Sequence, residues 1–424
     1  MSQDQVYTKD ILPGGLRVIT APMPSTRSVT VMLMAAVGSR YETRQISGIA
    51  HFMEHMFFKG AEKYPDAMAV ASAIDGVGGV FNAFTSEEKV AYYVKLTSGK
   101  TETAYDVLSD MLHRSKFDPV EIDKERGVIV EELRMYNDDP MSRIQMAFKS
   151  HFFGDQPLGW DVGGTEQVVN SVTREDFIHF RDLHYTARNC VLSVAGDITR
   201  ARALELAQSY FSFDGHDKIT PPPYVPQPGA RSVLIKKDTE QGHFILGFPI
   251  PGEEEAIQPT LKILSVIMGG SMSSRLFHEI REKRGLAYYI SSGRRVFTDT
   301  GAFMIAAGVN VDKLGDAVAC VMEELAKAAD KGFTAEELTR GRENIKGKLD
   351  LSMEDSMTQA NLYASREAIY GKIKTAEQMV EELDSVTLDQ LNAAASICFD
   401  ATKVKMAALG PYKDLEQFDK KLEG

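Results

Sequence analysis

Apolar positions along the chain follow two rhythms. Near-continuous runs, VTVMLMAAVGS (29–39), NCVLSVAGDI (189–198), GHFILGFPIP (242–251), GAFMIAAGVN (301–310) and VKMAALGP (404–411), predict buried strands. Recurrence every three or four residues predicts amphipathic helices over 101–113, 118–136, 258–270, 312–330 and 334–350. The stretch FNAFTSEEKVAYYVKL (81–96) alternates and reads as one strand after the Gly78-Gly79 turn. A further helix spans ISGIAHFMEHMFFKG (46–60), with Ser47 as its N-cap.

The order of strands and helices repeats. KFDPVEIDKE and GFTAEELTRG align about two hundred residues apart, too far for a solenoid period. Between the halves lies FDGHDKITPPPYVPQPGARS, which holds five of the chain's 16 prolines and predicts an extended linker. The expected organisation is therefore a first domain over 1–212, a linker over 213–232 and a homologous second domain over 233–424. Each domain is expected to be α+β, a mostly antiparallel sheet with helices packed on one face. A parallel doubly wound arrangement is the competing reading. No glycine-rich phosphate loop follows a strand, which argues against nucleotide binding.

Composition narrows the function. With 424 residues, 43% hydrophobic and 25% charged, the chain suits a soluble two-domain protein. Its net charge of -12 argues against nucleic acid and mildly favours cationic or neutral partners. The three cysteines, Cys190, Cys320 and Cys398, are scattered and odd in number, which fits a reducing compartment. The sequence shows no signal peptide and no apolar run long enough to span a membrane, so the expected location is cytoplasmic, with a trimmed organellar form as the alternative.

The chemistry concentrates in residues 46–60. At 100° per residue, His51, Glu54, His55 and Phe58 share one stripe, while Ile49, Phe52, Met53, Met56 and Phe57 lie opposite. Histidines four apart on a helix grip one metal ion, and the order H-x-x-E-H is the inverted zinc-peptidase signature. A catalytic zinc needs a third protein ligand. The helix EIDKERGVIVEELRM offers Glu125 and Glu132, two turns apart on one face, with Glu131 turned away by about 100°. His113, His151, His179, His184, His216, His243 and His278 lack such company and read as structural or surface residues.

HFMEH followed at this distance by ERGVIVEE resembles the pitrilysin, insulin-degrading enzyme and mitochondrial processing peptidase family over essentially the whole chain. The resemblance implies a zinc endopeptidase with one Zn²⁺ per chain, held by His51, His55 and Glu132. In such a site the bound water has a pKa near 7. Glu54 would then be the general base, and Glu125 would assist by orienting a ligand. The resemblance also implies a substrate-binding edge strand with Asn82 and Ala83 beside the scissile bond, while Glu87-Glu88 receives no role. In GGSMSSRLFHEIREKRGLAYYISS, Arg281 and Tyr288 match a family pair that reaches the substrate; Arg275, Arg284 and Tyr289 do not.

The second half carries no metal motif of its own, since Lys348 stands opposite Glu132 in the alignment. The resemblance further implies dimerisation around a chamber that admits oligopeptides or unfolded segments. The expected partner is a second copy, or alternatively an inactive homologue. The competing functions are a presequence-processing subunit, a non-catalytic scaffold of respiratory-complex type and a metal-dependent hydrolase of small molecules.

Overall fold

The computed structural model describes residues 6–213 and 218–423. His216 and the linker residues 214–217 lie outside the described residues. The chain forms two compact units, each built on one sheet.

The first sheet contains β1 (Thr8–Ile11), β2 (Arg17–Pro22), β3 (Ser28–Ala35), β4 (Val80–Thr85), β5 (Val90–Thr97) and β6 (Cys190–Gly196), in the order β1-β2-β6-β3-β5-β4. The second contains β7 (Ser232–Lys236), β8 (Gln241–Ile250), β9 (Ala287–Val296), β10 (Gly301–Asn310) and β11 (Lys405–Gly410), in the order β7-β11-β8-β10-β9. Each is antiparallel but for one parallel pair, β2 with β6 and β7 with β11. The helices that position the chemistry are α1 (Ile49–Phe57), α2 (Thr101–Arg114), α3 (Pro119–Asp138), α4 (Pro140–Phe153), α5 (Gln258–Gly269), α6 (Leu314–Lys331), α7 (Ala335–Ser352) and α8 (Ser356–Tyr370).

The units do not follow the sequence halves. Unit 1 is residues 1–134, 160–222 and 352–375, so it includes α8; unit 2 is residues 135–159, 223–351 and 376–424, so it includes α4. The main helical layer of unit 1 covers one sheet face around Val31, Leu33, Phe52, Phe57 and Leu108. On the opposite face, Ile19, Met32 and Met34 pack against Tyr363 and Ala364 of α8. In unit 2, Phe148 and Phe152 of α4 pack likewise on Ile245 and Ala407. Among the described residues, each sheet thus has its main helical layer on one face and a helix distant in sequence on the other.

Two local readings change. Residues 81–96 form a hairpin, β4 and β5, because Ser86 to Lys89 make the turn and the Ser86 N–H donates to the Lys89 carbonyl at 2.9 Å. Helix α1 starts at Ile49, with Gly48 as its N-cap at φ 97°, so Ser47 does not cap it. The capping acceptor comes from outside the helix. The buried Glu42 carboxylate accepts from the Gly48 N–H at 2.7 Å and the Ala50 N–H at 2.8 Å. A negative charge at the positive end of a helix is favourable.

Candidate metal centre

Helix α1 is fixed by its apolar side. Ile49, Phe52, Met53, Met56 and Phe57 are at most 1% exposed, and burial of such side chains contributes roughly 1.5–3 kcal/mol each. The stripe of His51, Glu54, His55 and Phe58 is left half-buried on the other side. The imidazoles lie edge to face with centroids 4.7 Å apart.

Helix α3 brings the carboxylates. Glu132 Oε2 lies 3.7 Å from His51 Nε2 and 3.6 Å from His55 Nε2. One donor atom from each of the three residues lies within 4.8 Å of the others. Zinc bonds of about 2.0–2.2 Å place tetrahedral ligands roughly 3.3–3.6 Å apart, so this donor set fits that ion.

The surroundings tune each group. Glu125 is 4% exposed. Its Oε1 lies 2.8 Å from His55 Nδ1, and its Oε2 accepts from Lys59 Nζ at 2.5 Å. Holding Nδ1 aims Nε2 at Glu132 and sets the tautomer that ligates. Burial raises the Glu125 pKa, but hydrogen bonds from His55 and Lys59 outweigh it and hold the carboxyl below its ordinary value. Burial and the neighbouring His55 lower the pKa of His51, favouring the neutral, ligating form. In His55, burial pulls downward, but Glu125, Glu132 and Glu54 together raise the pKa. Burial raises the Glu54 pKa against the opposing effect of a hydrogen bond from Thr85. Thr85 Oγ1 donates to Glu54 Oε2 at 2.5 Å.

Asn82 and Ala83 lie on β4, the edge strand beside α1. The Ala83 N–H is accepted by the Asn82 side-chain oxygen at 2.8 Å. Arg281 and Tyr288 belong to unit 2. Arg281 is exposed, its guanidinium 4.8 Å from the Phe277 ring centre. Tyr288 is 54% exposed and is the extra residue of a bulge on β9, between Ala287 paired with Val309 and Tyr289 paired with Gly308.

Sequence reasoning did not single out Thr85, Lys59 or Glu42. Lys59 carried a signal, standing four residues after His55 on the same helical stripe. Thr85 reaches the site only through tertiary folding, and Glu42 caps α1 from six residues before Gly48.

Comparison with known proteins places the whole chain in one family. The model described as "Insulinase (Peptidase family M16)" matches residues 17–166, and that described as "Peptidase M16 inactive domain" matches residues 171–345. A protein of Streptomyces coelicolor called an uncharacterized zinc protease is 36% identical over 95% of this chain and 89% of its own length. The chain belongs to peptidase family M16. The YmxG protein of Bacillus subtilis, also called an uncharacterized zinc protease, is 35% identical over 91% of this chain and 94% of its own. The crystal structure of a Helicobacter pylori protease shares the M16 fold with a TM-score of 0.88 and 25% identity, covering 96% of this chain and 99% of that one. The inactive-domain match falls over α5, where no histidine occurs. No helix among the described residues is long and apolar enough to cross a membrane.

Proposed function

We propose that this protein is a zinc-dependent endopeptidase that cleaves oligopeptides or unfolded segments. The observation that supports this most is the convergence of His51 Nε2, His55 Nε2 and Glu132 Oε2, with Glu54 on the same stripe of α1 and outside the ligand set. Zinc, one ion per chain, would polarise the scissile carbonyl and make water acidic enough to lose a proton near neutral pH. Glu54 removes that proton. Its Oε2 is engaged by Thr85, so Oε1 is the proton acceptor and later donates to the leaving amine. Glu125 holds His55 in its ligating tautomer.

The substrate adds to the outer edge of β4 through main-chain hydrogen bonds. The Asn82 side chain, which closes the Ala83 N–H, swings away as the peptide takes that bond. Arg281 binds substrate carbonyl groups, and the exposed Tyr288 hydroxyl steadies the developing oxyanion. The active form is a homodimer enclosing a chamber, in which Arg281 and Tyr288 of one copy serve the zinc site of the other. The intact His51, Glu54, His55 and Glu132 set favours a peptidase over a non-catalytic scaffold.

The test is digestion of a peptide library. Wild-type protein cleaves, a chelator stops cleavage and added zinc restores it. Glu54→Gln retains the metal but loses about 10²–10⁴ in kcat. Metal-bound wild type that leaves the whole library intact ends the peptidase reading. Verified mixed dimers of Glu54→Gln and Arg281→Ala recover part of the activity if sites are shared between copies; no recovery rules out the shared site.

A further inference from the structure

Unit 2 holds a cavity of about 580 Å³ that plays no part in the proposed peptide cleavage. It is lined by Met272, Ser273 and Ser274 of the turn that follows Gly269 and Gly270. The end of α6 and the start of α7 line it too, contributing Lys331 and Arg340.

Three carboxylates border the cavity, and each is already engaged. Arg275 grips Glu337 through two bonds of 2.6 and 2.8 Å, Lys327 holds Glu324 at 2.8 Å, and Lys283 holds Glu279 at 2.5 Å. Arg275 is further occupied by the Gly332 carbonyl at 2.9 Å and by the Phe333 ring, 4.3 Å from its guanidinium. Lys331 and Arg340 remain. Neither has an ion pair or hydrogen bond among the described residues. In a chain of net charge -12, two uncompensated cations lining one cavity form a local reversal of sign.

A second observation is independent of charge. Ser274 is 2% exposed, and its Oγ has no hydrogen-bond partner among the described residues. It borders a side chamber of about 20 Å³ that adjoins the larger cavity and is shared with Arg340 and Asn344, whose Oδ1 also lacks a partner. Buried hydroxyls are nearly always bonded, and no described protein group serves Ser274. The Ser271 and Ser273 hydroxyls lie 3.2 Å apart on the same turn.

We propose that this cavity binds a phosphate-bearing small molecule. Its oxyanion sits between Lys331, Arg340 and the Ser273 and Ser274 hydroxyls. Two cations and two hydroxyl donors can each meet a separate oxygen of a tetrahedral dianion, whose charge also balances both cations; a carboxylate carries a single charge. The volume lies in the range that holds a small organic ligand, so the organic part rests against Met272, which is 80% exposed, and His278.

The test is a ³¹P NMR titration of the zinc-loaded full chain at fixed ionic strength, with inorganic phosphate and with glucose 6-phosphate. Saturable binding at or below about millimolar concentration is expected, weakened at least about tenfold in the Lys331→Gln/Arg340→Gln double variant. Ser274→Ala weakens it a few-fold, with circular dichroism and zinc content unchanged. Tighter binding of glucose 6-phosphate identifies a phosphate ester as the ligand; equal affinity identifies free phosphate. Phosphate on the metal would not respond to these substitutions, so unchanged affinity in the double variant overturns the proposal. Acetate competing as well as sulfate also overturns it, because the site would then not select a tetrahedral anion.

Discussion

The two units place the same kind of helix–helix contact at corresponding positions and fill it with opposite chemistry. Aligning KFDPVEIDKE with GFTAEELTRG sets Glu125 opposite Gly341 and Glu132 opposite Lys348. In unit 1, Glu125 reaches from α3 to His55 and Lys59 beside α1. In unit 2, Gly341 of α7 lies flush against Ile263 and Ile267 of α5; a Cβ there would come within 2.8 Å of Ile267 Cγ1. Glu132 faces two imidazoles, whereas Lys348 turns its ammonium to the Gly270 carbonyl at the end of α5, 3.5 Å away. The sheet-and-helix scaffold is common to both units. What separates a candidate metal centre from a plain helix packing is the polarity of a few positions on two facing helices.

The largest expected effect comes from making unit 1 like unit 2 at its ligand. Glu132→Lys replaces an anionic ligand by the cation found at the corresponding place in unit 2. Zinc content measured by elemental analysis should fall to background and peptide cleavage with it, since even groups that merely support a ligand are worth about 10–100-fold in affinity. Melting of the metal-free protein should change little, because the Glu132 side chain is 23% exposed and a lysine there reaches solvent. Full zinc retention would remove Glu132 from the ligand set.

The reverse exchange should fail structurally. Gly341→Glu pushes a side chain into Ile263 and Ile267 and leaves a carboxylate without a partner. A loss of about 3–5 kcal/mol in urea unfolding is expected, with no gain in zinc per chain. A variant of wild-type stability would show that this contact is looser than the Cβ distances indicate. Smaller again is Glu125→Gln, which keeps the shape but gives up the charge that orients His55. Zinc affinity measured by chelator competition should drop about 10–100-fold. No change would make Glu125 a bystander of the centre.

These contrasts were partly legible in the residues. The HFMEH stripe, the seven-residue step from Glu125 to Glu132 and the apolar face of α1 are local, periodic features, and helical periodicity reads them directly. The packing of α8 in unit 1 and of α4 in unit 2 was not legible. An amphipathic helix announces that it has an apolar face, but nothing in its own sequence says which sheet will cover it. Two tertiary contacts complete the clasp of α8. Glu367, 1% exposed, pairs with Lys9 at 2.6 Å and Arg17 at 3.3 Å, residues some 350 positions away. The Ser86–Lys89 turn escaped because the apolar alternation continues on both sides of it, and Thr85 joined the site only once that turn had folded β4 back on β5.

The mildest test compares how the units respond to acid. In unit 1, burial drives His113 and His184 down to about 4, among aromatic rings. His113 sits 4.3 Å from the Phe213 ring centre and His184 4.5 Å from that of Phe180, and neither His113 Nε2 nor His184 Nδ1 has a partner among the described residues. In unit 2, burial also lowers His243, against the opposing charge of Asp139, with its Nδ1 3.1 Å from the Tyr289 hydroxyl, and burial lowers His151 as well. A histidine whose folded pKa is depressed binds its proton mainly in the unfolded chain. Its stabilising contribution is therefore present above about pH 6.5 and is lost as pH falls toward about 4. By pH 5 the loss is about 2 kcal/mol for each of His113 and His184. Trp160, the only tryptophan, lies in unit 1 and reports its unfolding by fluorescence. Cys398, buried in unit 2, reports that unit by thiol labelling. Between pH 7.5 and 5 the urea midpoint seen at Trp160 should fall further than that seen at Cys398, and His184→Phe should narrow the gap. Equal shifts at both probes would mean that these histidines do not distinguish the acid stability of the two units.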